Sequence, residues 1–258
     1  MPKICIVATY FDRQFQLNKT LDSISKSSHK DFEVIIVDDG SDEKIVLPRL
    51  DFKCTVIRFE KHGWRDSGIA FNTGFIKALK SNPEIVIIQN AECYHVGDVL
   101  GYAEKNLTND NYISFSCYSL NQETTFSNHN IQDIINLNNR GALENGENAW
   151  YNHPVFRPVG YHFCTAIKTN NLVKINGFDE RFSLGIGYDD NYLLHRIINL
   201  GLKIDITETP FVVHQWHYTT PEETNKAELI KRNSDLLQTL VPLNEIRAQH
   251  IYTPDLKG

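Results

Sequence analysis

Phe32-Glu33-Val34-Ile35-Ile36-Val37-Asp38-Asp39-Gly40-Ser41 is a strand-length apolar run that stops on two adjacent carboxylates and a glycine. A run this short and this rich in β-branched residues reads as a strand buried on both faces. Working outward, Ile4–Ala8 is a similar run closed by Thr9-Tyr10-Phe11-Asp12, and Lys53–Phe59, Ile85–Ile88 and Asn111–Tyr118 supply three more. Between them, Leu17, Leu21 and Ile24 recur at helical spacing, and Ile69–Leu79 carries Phe71, Phe75, Ala78 and Leu79 along one side. Strands alternating with helices predict an α/β fold: a mostly parallel central sheet with helices on both faces. In such sheets ligands bind beyond the carboxyl ends of the strands.

The second half is less regular. Phe163–Ile167 reads as a strand and Asn170–Ile175 as a short helix, followed by the turn Asn176-Gly177-Phe178-Asp179. Asp189–Leu200 is a helix with an apolar stripe of Leu193, Leu194, Ile197 and Ile198, and Gly201 suits its C-terminal end. Leu202–Ile206 and Phe211–Val213 read as strands. Thr220-Pro221-Glu222-Glu223 has the form of a capping box opening a helix that runs to about Leu240. The Asn-rich stretch from Asn121 to Asn152 reads as largely loop. With no repeat and no linker, the chain reads as one domain with an irregular second half.

Composition sets the outer bounds. Of 258 residues, 41% are apolar and 22% charged, which is globular and excludes disordered and collagen-like classes. The 26 basic and 32 acidic residues leave a net charge of −6, which disfavours nucleic acid as a general partner. Five cysteines, an odd number without a C-x-x-C pair, fit reduced thiols and a cytoplasmic location. Met1-Pro2-Lys3 leads straight into Ile4 without a signal-peptide pattern, and the apolar runs are too short for a transmembrane segment.

Four polar clusters fall at strand ends: Thr9–Asp12, Asp38–Ser41, Gln89-Asn90-Ala91-Glu92 and His214-Gln215-Trp216-His217. Alone, Asp38-Asp39-Gly40-Ser41 reads equally as a turn with a helix cap or as carboxylates that accept hydrogen bonds from a base or ribose. Three companion clusters on the same edge favour the second reading.

Taken in order, Thr9-Tyr10-Phe11-Asp12-Arg13, Val37-Asp38-Asp39-Gly40-Ser41, Arg65 to Gly74, Asn90-Ala91-Glu92, Gly177-Phe178-Asp179-Glu180 and Gly187-Tyr188-Asp189-Asp190 resemble a family-2 inverting glycosyltransferase with the GT-A fold. The resemblance spans about residues 3 to 218. No G-x-G-x-x-G opens the first helix, which argues against a Rossmann dehydrogenase. It implies a nucleotide-sugar-binding half over about 1–120, an acceptor-binding and catalytic half over about 121–218, and a C-terminal helix and tail over 219–258.

The resemblance implies roles. Thr9, Tyr10 and Arg13 contact the nucleotide, with Asp39 the uracil-type contact and Asp38 a second candidate. Arg65 reaches the pyrophosphate, with Asp66 and Asn72 close by, and Gly63, Gly68 and Gly74 serve either phosphate approach or helix packing. The family's Asp-x-Asp metal motif is replaced here by Asn90, Ala91 and Glu92, so Glu92 is the remaining carboxylate for Mn²⁺ or Mg²⁺. His214 or His217 completes the coordination. Asp190 matches the general base, Asp189 binds an acceptor hydroxyl, and Arg196 meets either a phosphate or the acids. Trp150, His153 and Trp216, in a neighbourhood with Arg157 and His162, are candidates for the acceptor, a glycan or lipid-linked glycan, and the tryptophans read equally as core. The final helix docks on the domain, dimerises or touches a membrane surface. The neutral Asn90 leaves a second reading, a catalytically silent nucleotide-sugar- or glycan-binding relative. A sugar nucleotidyltransferase is disfavoured, because no glycine-rich basic loop follows Ala8.

Overall fold

The computed structural model describes residues 2–128, 130–138, 148–218 and 225–257. The first half contains β1 (Ile4–Tyr10), α1 (Gln14–Ser25), β2 (Phe32–Asp38), β3 (Lys53–Arg58), α2 (Gly68–Leu79) and β4 (Ile85–Asn90). Then come β5 (Cys93–Val96), α3 (Val99–Asn106), β6 (Asn111–Ser119), α4 (Gln122–Phe126), α5 (Ile131–Asn138) and β7 (Ala149–Asn152). They are followed by β8 (Cys164–Lys168), α6 (Thr169–Ile175), α7 (Asp189–Asn199), β9 (Lys203–His214) and α8 (Lys226–Leu240). No described helix is long and apolar enough to cross a membrane.

One nine-stranded sheet joins both halves in the order β3-β2-β1-β4-β8-β6-β9-β5, with β7 paired beside β6. Four pairings are parallel, β1–β2, β1–β4, β2–β3 and β6–β9. The other four, β4–β8, β5–β9, β6–β7 and β6–β8, are antiparallel. The sheet is therefore mixed and not mostly parallel: pairing is all parallel from β3 to β4, and beyond β4 only β6–β9 is parallel among the described strands. In the all-parallel part α1 links β1 to β2 and α2 links β3 to β4, while the β2–β3 crossover runs through residues 39–52 without a helix.

Alternation along the central strands divides the core in two. Ile4, Ile6, Ile36, Ile85 and Ile87 face Leu17, Leu21 and Ile24 of α1. Cys5, Val7, Ile35, Val37, Val86 and Ile88 face Phe71 and Phe75 of α2, with Leu193 and Ile197 of α7 in the same cluster. Burying each of these large side chains contributes about 1.5–3 kcal/mol. A Cβ at Gly74 would lie 2.3 Å from Val7 Cγ1, so this glycine serves helix–sheet packing and not a phosphate.

Three expectations change here. Leu202–Ile206 and Phe211–Val213 fuse into β9, whose register against β6 shifts between Phe115 and Ser116. The described part of the Asn-rich stretch is not largely loop but holds α4, α5 and β7. Asparagine acts there as a cap: Asn121 Oδ1 accepts the Thr124 N–H at 2.9 Å and starts α4. The capping box at 220–223 lies outside the described residues, and α8 starts at Lys226.

Side-chain amides and a carboxylate tie the C-terminal strap to the domain. Asn72, expected at the nucleotide, is fully buried in α2. Its Nδ2 donates to Phe178 O at 3.0 Å and Glu180 Oε1 at 3.1 Å, and its Oδ1 accepts the Phe178 N–H at 2.9 Å. Glu180 Oε2 in turn accepts the N–H groups of Ile251 at 2.6 Å and Tyr252 at 2.5 Å. The final helix docks, as one of its expected fates. Leu236, Leu237 and Leu240 pack on Phe182 and Tyr192, while Asn233 Nδ2 donates to Phe182 O at 3.0 Å and Gly187 O at 2.9 Å.

Candidate active site

The carboxyl ends of β1, β2 and β4, the loop after β3 and the end of β9 converge on one cleft of about 700 Å³. Arg13, Lys61, Arg65 and Lys226 line it beside Asp39, Asp42, Asp66 and Glu92, so the cleft mixes fixed cations with carboxylates that can take a metal ion or hydrogen-bond donors.

The two adjacent aspartates part ways at this edge. Asp38 is fully buried, accepts the Ser41 N–H at 3.0 Å and pairs with Arg58 Nη1 at 2.8 Å. It organises the loop and does not line the cleft, which corrects its assignment to the nucleotide. Gly40 turns the chain at φ 85°, a left-handed value that favours glycine. Asp39 lines the cleft, and its Oδ1 accepts from His62 Nε2 at 2.9 Å and Trp64 Nε1 at 3.0 Å. Burial raises its carboxyl above the usual range, against those two hydrogen bonds. The His62 and Trp64 rings stack at 3.5 Å with 13° between planes. Sequence reading passes over this pair, although the strand-end rule applied to Lys53–Phe59 points straight at it.

Glu92 follows β4 and is 1% exposed. Its Oε2 lies 2.8 Å from Arg13 Nη1, and its Oε1 lies 3.3 Å from His214 Nε2 and 3.7 Å from His217 Nε2. Burial works to raise this carboxyl, but Arg13 and the two imidazoles outweigh it and hold the group well below the usual carboxylate range. His217 is pushed down to about 4, first by burial and then by Arg13. Its Nδ1 meets the Tyr218 carbonyl at 2.9 Å, which requires the proton on Nδ1 and leaves the Nε2 lone pair to a ligand. The ligand atoms of Glu92, His214 and His217 lie within 4.8 Å of one another, and Glu92 Oε2 is buried without an aligned hydrogen bond. This carboxylate and two imidazoles fit a divalent transition ion. Both histidines converge on Glu92, so the choice between them disappears.

The second cluster forms at the start of α7. Gly187 and Tyr188 adopt left-handed φ values of 70° and 69°, and the helix begins directly on Asp189 and Asp190. His162, which lines the cleft, makes a short Nδ1 hydrogen bond to Asp190 Oδ1. Burial lowers this imidazole, but Asp190, Asp189 and Asp66 outweigh it and hold it above its usual value. Asp189 is raised to about 6, by burial first and then by the neighbouring Asp190 charge. The ligand atoms of His162, Asp189 and Asp190 also lie within 4.8 Å of one another, but here the imidazole nitrogen is already engaged by Asp190.

Thr9, Tyr10, Arg13, Asp39, Arg65, Asn90, Glu92, His214 and His217 therefore meet at one cleft, as the sequence predicts. Asn72 and Ala91 do not; Ala91 is fully buried in the first core. Trp150 is core, 5% exposed and packed edge-on to Tyr118 at 5.0 Å and Phe211 at 5.6 Å. His153 is 3% exposed and its Nδ1 accepts the Val155 N–H at 3.1 Å, so it organises a turn. Trp216 is half-buried and tied through its backbone to Thr125 Oγ1 at 2.8 Å and Gln16 Nε2 at 2.7 Å. Arg196 is fully buried, donating to Ile175 O at 2.7 Å and Gly177 O at 2.9 Å, and meets neither a phosphate nor the acids.

A mixed sheet with a charged cleft at its strand ends, a Glu–His–His cluster in its wall and a helix-opening acid pair nearby defines the class of GT-A glycosyltransferases. Residues 5–166 match the model of glycosyl transferase family 2, and the chain belongs to that family. No curated protein matches it. Among solved structures, a mannosyltransferase from Pyrobaculum calidifontis in complex with GDP-Man and Mn²⁺ is similar at 18% identity and a TM-score of 0.53, over 94% of this chain. The chain spans 64% of that protein, just under two thirds of its length. TarS from S. aureus with UDP-GlcNAc gives 11% identity and a TM-score of 0.58, over 94% of this chain and 66% of its own. The catalytic domain of Drosophila β1,4-galactosyltransferase 7 with xylobiose gives 11% and 0.52, over 89% and 79%. At these identities the likeness carries the fold.

Proposed function

We propose that the protein transfers a sugar from a UDP-sugar to a glycan or lipid-linked glycan acceptor with inversion, the base centred on Asp190. The observation that carries this is one cleft lined by Glu92, His214, His217 and His162, the last of which bonds Asp190, itself outside the lining. Asp39 and the His62–Trp64 stack offer a carboxylate and a flat aromatic surface to a base, while Arg13, Lys61 and Arg65 face the region a diphosphate would fill. When bound, a divalent ion at Glu92, His214 and His217 supplies positive charge against the diphosphate of the leaving nucleotide. Two nitrogen donors favour Mn²⁺ over Mg²⁺, whose preference is for oxygen. Asp190 takes the proton of the acceptor hydroxyl while the nucleotide departs from the opposite face of the sugar. With Trp150 and His153 in the core, Trp216 is the remaining aromatic candidate for stacking on an acceptor ring. The mannosyltransferase solved with GDP-Man and Mn²⁺ and TarS solved with UDP-GlcNAc support a nucleotide sugar as the donor class.

The test is nucleotide release from a panel of UDP- and GDP-sugars with Mn²⁺ and glycan acceptors. Turnover confined to UDP-sugars supports the reading, and turnover with GDP-sugars alone overturns the uracil contact assigned to Asp39. One observation favours a second reading. Arg13 sits 2.8 Å from the only carboxylate of the cluster, and Asn90 offers no second one. UDP binding without turnover of any donor identifies a silent nucleotide-sugar-binding relative.

A further inference from the structure

Asp190 has one oxygen fully engaged and one open. Oδ1 accepts the His162 backbone N–H at 3.2 Å and also the short bond from the His162 ring. No hydrogen bond among the described residues reaches Oδ2. The Asp190 side chain keeps 27% of its surface, against 9% for His162. The imidazole cannot turn freely, because Phe71 and Phe178 meet it edge-on at ring distances of 5.1 and 4.8 Å. One residue thus holds one carboxylate oxygen through both its main chain and its side chain, and a rigid aromatic pair holds that residue.

We propose that His162 is the positioning residue of the base, fixing Oδ1 with two donors so that Oδ2 faces the acceptor hydroxyl. This rests on the reading of the protein as an inverting transferase with its base at Asp190. In the transfer, the acceptor O–H bond breaks and its proton goes to Oδ2. The freed electron pair bonds the anomeric carbon, and the pair of the old glycosidic bond leaves with the nucleotide diphosphate. His162 also works against repulsion. Asp189 and Asp190 from α7 and Asp66 from the loop before α2 all act on its ring, and the Asp190 charge also reaches the Tyr112 phenol on β6. A cationic imidazole there opposes the rise of the Asp189 carboxyl.

The variants His162→Ala and His162→Asn separate the two effects, because the Asn amide can reach Oδ1 as a neutral donor. Expected for H162A is a kcat about 100-fold lower with donor KM within about twofold of wild type, since a misdirected base costs turnover and not binding. Its acidic limb of kcat/KM moves to higher pH. Expected for H162N is a kcat back within about tenfold of wild type, with the limb still displaced because the charge is gone. An H162A that raises donor KM and leaves kcat and the limb unchanged overturns the proposal, making His162 a wall of the donor site. If H162A lacks a cooperative melting transition, H162N decides alone, and a loss of about 100-fold or more there makes His162 itself the proton acceptor. An NMR titration of His162 needs no turnover. Its imidazole titrates above its usual value in wild type and falls in Asp190→Asn, and equal values in both overturn the pairing. A wild type that transfers no sugar but shows this fall removes the functional reading while leaving the pair.

Discussion

Glu92, on the inner wall of the cleft, is enclosed by a guanidinium and two imidazoles, whereas Asp190, at the start of α7, keeps one oxygen open. The first cluster is assembled from the residue that precedes α1, the end of β4 and the end of β9. The second comes from one helix start and one loop histidine. A closed, charge-balanced carboxylate suits holding a ligand, and a carboxylate pinned on one side suits a proton transfer that recurs with every turnover. The two clusters also respond to pH in opposite senses. Glu92 is depressed in the folded state, so its contribution to stability is present above the unfolded glutamate range and is lost as pH falls through the folded value. His162 is raised, so its contribution is present below its unfolded value and is lost as pH rises through the folded one.

The largest break in this comparison is expected from Asp190→Asn. It should lower kcat by about 10²–10⁴-fold and leave UDP affinity unchanged, because only the base is removed. Single-turnover kinetics beside calorimetric UDP binding checks both halves. Glu92→Gln should act on donor binding as well as on turnover. It should abolish the Mn²⁺ dependence of UDP binding, flatten the loss of stability at low pH, and cost about 3 kcal/mol in urea unfolding because Arg13 loses its buried partner. Equal effects of the two variants on UDP affinity would erase the distinction between the clusters.

The strand ends were legible because each functional residue follows its strand directly, and a parallel sheet turns that adjacency into one edge. Neighbouring residues within one motif were less legible. Asp38 and Asp39 differ because Gly40 reverses the chain and Arg58 waits on the adjacent strand, twenty residues away in sequence. Asn72 lies on a helix near the cleft, but its partners are 106 and 108 positions away, on a turn that only the folded chain brings there. Trp150 sits on a four-residue strand too short to show which face is buried. Smaller predictions follow from these cases. Asn72→Ala should lower stability by about 1–3 kcal/mol in urea unfolding, leaving buried backbone groups unpaired, while UDP affinity stays as it was. Trp150→Phe should cost about 1–2 kcal/mol of unfolding free energy as a trimmed core ring, with kcat and acceptor KM unchanged. A raised acceptor KM in that variant would return Trp150 to the acceptor site.

The donor site is tested most directly by a calorimetric titration of UDP into the wild-type protein with Mn²⁺ and again with a chelator. Saturable one-site binding is expected with Mn²⁺, weakened at least about tenfold, or 1.4 kcal/mol, without it. No binding of UDP under either condition would contradict the assignment of the cleft as the donor site.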